Sequence, residues 1–290
     1  MTDDLLEAEV RVALALGEDD HDTLVAGLAG EHPAAARAVA AGFAAYRREQ
    51  RGWGDRMTDT ERFLAACRDL DAAGIAARAD YTCCRECGLR GVAVEAQDVR
   101  GYVFCHRRGV RAAARGEGLA LVYGTLAGDP AAIAGEVAAA LTGRGLAAPV
   151  PRDGDLWLPL TWRRRRYGRL DRWPGAPEAE RGPLTVSFHD EARERSEEEQ
   201  PMSFAACRGV LYDLVPVPGS FLVCAGASGA VAQAVWEPGP RLWMEAPDGA
   251  ARRSHGRHVT PDEAVSVIRA LAERDRVTLG ELGPLEVVHW

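Results

Sequence analysis

The segments YTCCRECG, residues 81–88, and GYVFCH, residues 101–106, are the most informative part of this chain. Together they carry four of the seven cysteines of the 290-residue sequence. The first segment contains the pair Cys84-x-x-Cys87, followed at once by a glycine. Such a pair is typical of a zinc knuckle, in which a tight turn aims two thiolates at one ion, or of a redox site that opens a helix.

The residues after this pair favour the knuckle. Gly88 and Gly91 follow closely, and no apolar residues recur at helical spacing behind them. A redox pair uses the N-terminus of a helix to lower the pKa of a thiol, and this sequence predicts no helix there. The glycine directly after Cys87 eases the tight turn that a knuckle needs.

A knuckle supplies half of a tetrahedral zinc site, and the chain has no second Cys-x-x-Cys or Cys-x-x-His. The available complements are Cys83, Cys105 and His106. Adjacent residues on a strand point to opposite faces, so Cys105 and His106 are not expected to bind one ion. A metal site here would consist of Cys84 and Cys87, with Cys83 and His106 as further candidates and zinc as the ion. Because the second half of the site is missing, the sequence favours buried or simply free thiols, and the metal site is the alternative.

The first part of the chain is predicted to be helical. Leu6, Val10 and Leu14 recur every fourth residue, and the pattern resumes after Pro33, so helices are expected across residues 2–50. Residues 1–57 are interpreted as an N-terminal helical segment. Thr58 to Glu61 forms a capping box, which predicts the start of the next helix.

Residues 58–170 are predicted to form a mixed α+β domain that carries the cysteine turn, with the N-terminal helices packed on it. Helices are expected over residues 107–115 and from Asp129 to Gly143, and a hairpin is expected around Asp153 and Gly154. The predicted strands cover residues 76–83, 92–95, 101–106 and 119–123.

The remainder divides into a linker and a second module. Residues 171–201 are rich in proline and acidic residues and are interpreted as a linker, interrupted by a strand at 185–188. Residues 202–290 are predicted to form a smaller module of antiparallel sheet and helix, in which Thr260 to Glu263 is a second capping box. The fold class predicted for the whole chain is α+β.

Composition excludes several functions. All 35 basic residues are arginine, so a phosphate loop ending in Gly-Lys and a Schiff-base lysine are both ruled out. The net charge of −8 argues against nucleic-acid binding and leaves a basic protein partner open. No signal peptide or membrane span is expected, and an odd cysteine count without a secretion signal predicts a cytoplasmic protein.

One dense basic run interrupts this acidic chain, at residues 163–166. Four successive arginines favour the solvated end of a strand, balanced by acids elsewhere. A surface that contacts phosphate or an acidic partner is the alternative.

The motifs CCxxCG at 83–88, GYVFxH at 101–106 and YG at 123–124 resemble a bacterial family of uncharacterised domains. The resemblance covers about residues 58–165. That family has no established activity, so the resemblance implies a fold unit and no function. The chain departs from the family at Cys105, where an aromatic residue is more usual, which makes Cys105 a less credible ligand than His106. The C-terminal module is similar to small bacterial immunity proteins, which pair an antiparallel sheet with a Thr-Pro-x-Glu-Ala helix.

No catalytic residues are predicted, because GASGA at 226–230 lacks the last glycine of a nucleophile elbow and lies between two expected strands. The sequence is best interpreted as a non-enzymatic, protein-binding module. The alternative is a zinc-binding or thiol-redox protein that uses Cys84 and Cys87 with His106.

Overall fold

The computed structural model describes residues 2–30, 32–95, 99–126, 128–176 and 182–289. The chain forms two compact units: residues 1–166 with 170–176, and residues 167–169 with 177–290. Each unit combines helices with a sheet of its own, which confirms the α+β class. Within the described ranges, no helix is both long enough and apolar enough to cross a membrane.

The first unit begins with three helices in the region predicted to be helical. The side chains of Thr2 and Asp20 cap the first two helices, and each accepts a backbone N–H. The predicted capping box at the start of the fourth helix is present, formed by Thr58 and Glu61. The helices of this unit are α1 (Asp3–Leu16), α2 (His21–Ala29), α3 (Ala35–Trp53), α4 (Asp59–Ala72), α5 (Arg85–Glu95), α6 (Arg107–Ala114) and α7 (Pro130–Gly143).

A five-stranded mixed sheet forms the centre of the first unit. Its strands are β1 (Ile75–Arg78), β2 (Gly101–Phe104), β3 (Leu119–Thr125), β4 (Val150–Arg152) and β5 (Asp155–Leu158). Their order is β1-β2-β3-β5-β4, and only the β1–β2 pair among them is parallel. The predicted hairpin at residues 153–154 joins β4 to β5.

Three details of the sequence interpretation are wrong around the cysteines. The strand expected over 76–83 ends at Arg78, and the strand expected over 101–106 ends at Phe104. The strand expected over 92–95 is the last turn of helix α5. Both strands stop early because the chain leaves the sheet to form the loop before α5 and the start of α6.

Three of the four arginines in the run are buried and Arg163 is half-buried, so the predicted solvated strand end is wrong. Arg164, Arg165 and Arg166 are 3%, 4% and 1% exposed. The Arg165 guanidinium pairs with the equally buried Glu61 at 3.1 Å, and that of Arg166 lies 4.6 Å from the ring centre of Phe43. Burying a guanidinium costs several kcal/mol unless ion pairs and hydrogen bonds replace its water, and these contacts do so.

The backbone of this run also joins separate helices. Arg164 donates its N–H to Ala15 of α1 at 3.0 Å, and its carbonyl accepts the hydroxyl of Tyr46 of α3 at 2.7 Å. Arg166 exchanges two hydrogen bonds with the side chain of Gln50, at 2.9 and 3.1 Å. Residues 162–166, here called the arginine strap, therefore fasten the N-terminal helices to the rest of the unit.

The second unit contains a seven-stranded antiparallel sheet in the order β12-β11-β10-β9-β8-β6-β7. Its strands are β6 (Leu184–Asp190), β7 (Arg195–Met202), β8 (Phe221–Ala225), β9 (Val231–Glu237), β10 (Arg241–Asp248), β11 (Arg253–Val259) and β12 (Glu286–His289). Helices α8 (Phe204–Asp213) and α9 (Pro261–Arg274) complete the unit, and the capping box at Thr260 is present as predicted. Where a linker with one strand was expected, β6 and β7 form a hairpin of this sheet.

Removing Arg165 tests the role of the strap. Arg165→Ala leaves the carboxylate of Glu61 buried without its ion pair, so the free energy of unfolding of the full chain should fall by about 3–5 kcal/mol. The matched control is Arg152→Ala, which removes an exposed pair with Asp153 and should cost less than about 1 kcal/mol. Urea denaturation measures both. Equal effects of the two substitutions would contradict a structural role for the strap.

Candidate metal centre

The loop between β1 and α5 carries the first cysteines in a constrained conformation. Asp80 and Thr82 both have positive φ, 51° and 56°. This conformation is uncommon for any residue with a side chain and is strained for a β-branched threonine. Three hydrogen bonds hold the loop against the residues that follow β2. Cys105 accepts two of them, from the Tyr81 N–H to its carbonyl at 2.8 Å and from the Asp80 N–H to its Sγ at 3.4 Å. In the third, the Arg107 N–H donates to the Thr82 carbonyl at 3.0 Å.

The cysteine pair opens a helix, contrary to the sequence prediction. The carbonyl of Cys84 accepts the N–H of Gly88 at 3.0 Å, so Cys84 occupies the N-cap position of α5 and Cys87 its first turn. The two cysteines therefore lie at the N-terminal end of α5.

The two glycines after the pair serve packing rather than a turn. A Cβ at position 88 would lie 2.3 Å from Cε2 of Phe104, and one at position 91 would lie 2.2 Å from the hydroxyl of Tyr81. The rings of Tyr81 and Phe104 meet edge to face, with centroids 5.7 Å apart, and Val92 is buried beside them. Glycine therefore lets α5 lie directly on these aromatic rings.

Three thiols meet where the loop joins the helix. The Sγ atoms of Cys83, Cys84 and Cys87 all lie within 4.8 Å of one another, and those of Cys83 and Cys87 are 3.5 Å apart. Two thiolates bound to one tetrahedral zinc ion at about 2.3 Å lie about 3.8 Å apart, so this spacing fits a metal centre. Cys83 and Cys87 are exposed and Cys84 is half-buried, so an ion can reach all three from solvent.

Hydrogen bonding among these thiols shifts the pKa values of Cys83 and Cys87 in opposite directions. Hydrogen bonding with Cys87, and next with Cys84, lowers the pKa of the Cys83 thiol. Cys87, as the partner of Cys83, has its pKa raised to about 11. Cys83 is therefore the thiol of this pair that ionises first. The neighbouring Glu86 has a lowered pKa, mainly because its own backbone N–H at the helix start binds the carboxylate.

The other two candidates lie apart from this group. His106 is the N-cap of α6, and its Nδ1 accepts the N–H of Gly109 at 3.1 Å, which leaves the proton of the neutral ring on Nε2. Burial lowers the pKa of His106. Cys105 is completely buried, burial raises the pKa of its thiol, and its sulfur accepts the Asp80 N–H. Among the described residues, the ligand group contains the three thiols at 83, 84 and 87 and neither of these two.

A network of charged side chains contacts the loop between β1 and α5 through Asp80. Arg107 contacts Glu18 at 3.2 Å and Asp80 at 3.5 Å, and Arg164 of the strap lies 3.8 Å from Glu18. Burial, followed by a hydrogen bond with Asp80, raises the pKa of Glu18 to about 7. No sequence pattern marks Glu18 or Asp80 as part of the site, because they come together only in the folded chain.

The comparisons with known proteins identify the family of the first unit. The model of a family described as Domain of unknown function (DUF6891) matches residues 2–166, so the chain belongs to that family. This match confirms the resemblance of residues 58–165 to an uncharacterised domain family and extends it to the N-terminal helices. Neither the curated proteins nor the solved structures contain a significant match to the chain.

The close packing of α5 yields a mutational prediction. Gly88→Ala should lower the free energy of unfolding by about 1–3 kcal/mol, because its Cβ would overlap Phe104, which is 1% exposed and has no room to retreat. The matched control is Gly135→Ala in α7, where a Cβ meets nothing within 4 Å and alanine should stabilise the helix by about 0.5–1 kcal/mol. Chemical denaturation of the full chain measures both. A neutral or stabilising Gly88→Ala would show that α5 does not depend on this contact.

Proposed function

We propose that Cys83, Cys84 and Cys87 form a three-thiolate metal centre that binds zinc. The observation that carries the proposal is the meeting of three sulfurs within 4.8 Å at the accessible start of α5. Thiolate is the ligand that zinc and other thiophilic ions prefer, and the spacing suits a single ion. The positive end of the α5 dipole would offset part of the negative charge that three thiolates bring together.

Three protein ligands leave the fourth position of a tetrahedral ion open to solvent. Sites of this kind hold water or a substrate there, whereas structural zinc sites are closed by four protein ligands. His106 was predicted as a further ligand. Binding through Nε2 would place the ring proton on Nδ1, so His106 would have to give up the hydrogen bond that caps α6. An open position is therefore the simpler proposal.

A thiol-redox role is the second candidate. Its support is the position of Cys84 and Cys87 at the N-cap and in the first turn of α5, the arrangement that activates the thiols of helix-opening redox pairs. This role needs only those two cysteines. Substitution of Cys83 therefore separates the two candidates, since a three-thiolate centre loses a ligand and a redox pair keeps both of its thiols.

A looser proposal concerns the whole chain: a bacterial, cytoplasmic protein that binds a protein partner in the manner of immunity proteins. Its support is the net charge of −8 and the sequence pattern of the second module. The outer strand β7 carries two exposed glutamates, Glu198 and Glu199, at one edge of the seven-stranded sheet. Such a strand suits a basic partner, although acids on an edge strand also prevent aggregation.

Zinc titration tests the metal proposal. The full chain, purified without chelator and stripped of metal, should bind one equivalent of zinc in competition with a chromophoric chelator and release protons as it binds. Cys83→Ser, Cys84→Ser and Cys87→Ser should each weaken binding at least about tenfold, because each removes one thiolate.

The control for this titration is Cys67→Ser, which removes a buried thiol of the same unit and should leave zinc affinity unchanged. Less than about a tenth of an equivalent bound to the unsubstituted chain would refute the proposal. Unchanged zinc affinity in Cys83→Ser, together with a Cys84–Cys87 disulfide that forms and reduces reversibly, would favour the redox role.

A further inference from the structure

A second pair of thiols lies in the interior of the second unit. Cys207 is on α8, Cys224 is on β8, and their sulfur atoms are 3.1 Å apart. The two residues are 0% and 1% exposed. They are 17 positions apart in the chain, and no sequence motif joins them.

The backbone holds both residues firmly. Ser203 caps α8 by accepting the Ala206 N–H at 3.2 Å, which fixes the turn of helix that carries Cys207. Cys224 lies on a strand with neighbours on both sides, opposite Val186 of β6 and Ala232 of β9. The two sulfurs therefore face each other because of the fold rather than by the chance arrangement of mobile side chains.

We infer that Cys207 and Cys224 form an oxidation site, at which a disulfide bond links α8 to β8. A disulfide has an S–S length of about 2.05 Å, so the sulfurs must approach by about 1 Å. Such a movement is within reach of side-chain rotation about the Cα–Cβ bonds. This inference concerns a unit outside the family domain and does not rest on the zinc proposal.

The oxidant is a small disulfide such as oxidised glutathione. One thiol, as its thiolate, attacks the small disulfide, forms a mixed disulfide and releases one glutathione thiolate. The second thiol, as its thiolate, then attacks the mixed disulfide and releases the second glutathione. Two protein thiols become one disulfide, and one oxidised glutathione becomes two reduced molecules, so electrons and protons balance.

Burial determines how this reaction proceeds. The hydrogen bond with Cys224, followed by burial, raises the pKa of Cys207 well above its usual value, so little thiolate is present at neutral pH. Oxidation of the folded chain should therefore be slow and should accelerate with pH. Once formed, the bond is shielded from reductants by the same packing, and it closes a loop that limits the freedom of the unfolded chain.

Differential alkylation tests the inference on the full chain. One sample is oxidised as folded protein at pH 8.5, and a second is refolded from denaturant in a glutathione buffer, where both thiols are accessible until the unit closes. Free thiols are then alkylated in denaturant and the peptides are mapped by mass spectrometry. The expected result is one peptide pair joined through Cys207 and Cys224, which separates on reduction. If both thiols are fully alkylated in both samples, or are joined to other cysteines, the inference is overturned.

Thermal unfolding provides a second measurement. The oxidised chain should unfold at a temperature on the order of 10 °C higher than the reduced chain in the transition of the second unit. Cys207→Ser and Cys224→Ser should each abolish the difference between oxidised and reduced samples. Cys67→Ser and the triple substitution at Cys83, Cys84 and Cys87 should retain it. A difference that persists in Cys207→Ser would assign the stabilisation to another pair and refute the site.

Discussion

Buried charge that must be paired is the constraint on which the first unit depends. The arginine strap brings three guanidinium groups into the interior, and each must replace its water with carboxylates, carbonyls or aromatic faces from other elements. Leu16 of α1, Phe43 of α3 and Glu61 of α4 are among these partners, so the requirement to satisfy the strap fixes those helices relative to one another. The family match ends at residue 166, the last residue of the strap, which makes the strap an integral part of the domain.

The same network reaches the thiols. Arg164 of the strap lies near the carboxylate of Glu18. Both Glu18 and Asp80 contact the guanidinium of Arg107. Asp80 in turn begins the strained loop that leads to Cys83. On the other side, the glycines of α5 allow close contact with Tyr81 and Phe104 and so place Cys84 and Cys87 beside the loop. The three sulfurs are thus held from two directions, which is the preorganisation that a binding site requires.

Local signals predicted much of this fold, and long-range contacts account for what they missed. Capping boxes at Thr58 and Thr260 and apolar spacing in α1 are properties of neighbouring residues, so the sequence predicts them well. Helix α5 was missed because Gly88 and Gly91 weaken helix propensity. Glycine is needed at both positions because the helix packs directly on the rings of Phe104 and Tyr81, a contact that the local sequence does not reveal. The burial of the arginine strap was missed for a similar reason, since its partner Glu61 is 104 positions away.

The candidate site was predicted in part. Cys84 and Cys87 were chosen on spacing and Cys83 as their neighbour, and the structure brings all three together. The strand alternation that separated Cys105 from His106 does not apply, since β2 ends before both. The opposite pKa shifts of Cys83 and Cys87 follow from hydrogen bonding between their side chains, a property of the folded loop that no spacing rule contains.

X-ray absorption at the zinc edge, measured on the full chain loaded with one equivalent of zinc, tests the three-thiolate centre most directly. The account predicts three sulfur neighbours at about 2.3 Å and one oxygen or nitrogen neighbour at about 2.0–2.2 Å. The sulfur count should fall to two in Cys83→Ser. Zinc surrounded mainly by oxygen and nitrogen, or a sulfur count that Cys83→Ser leaves unchanged, would contradict it.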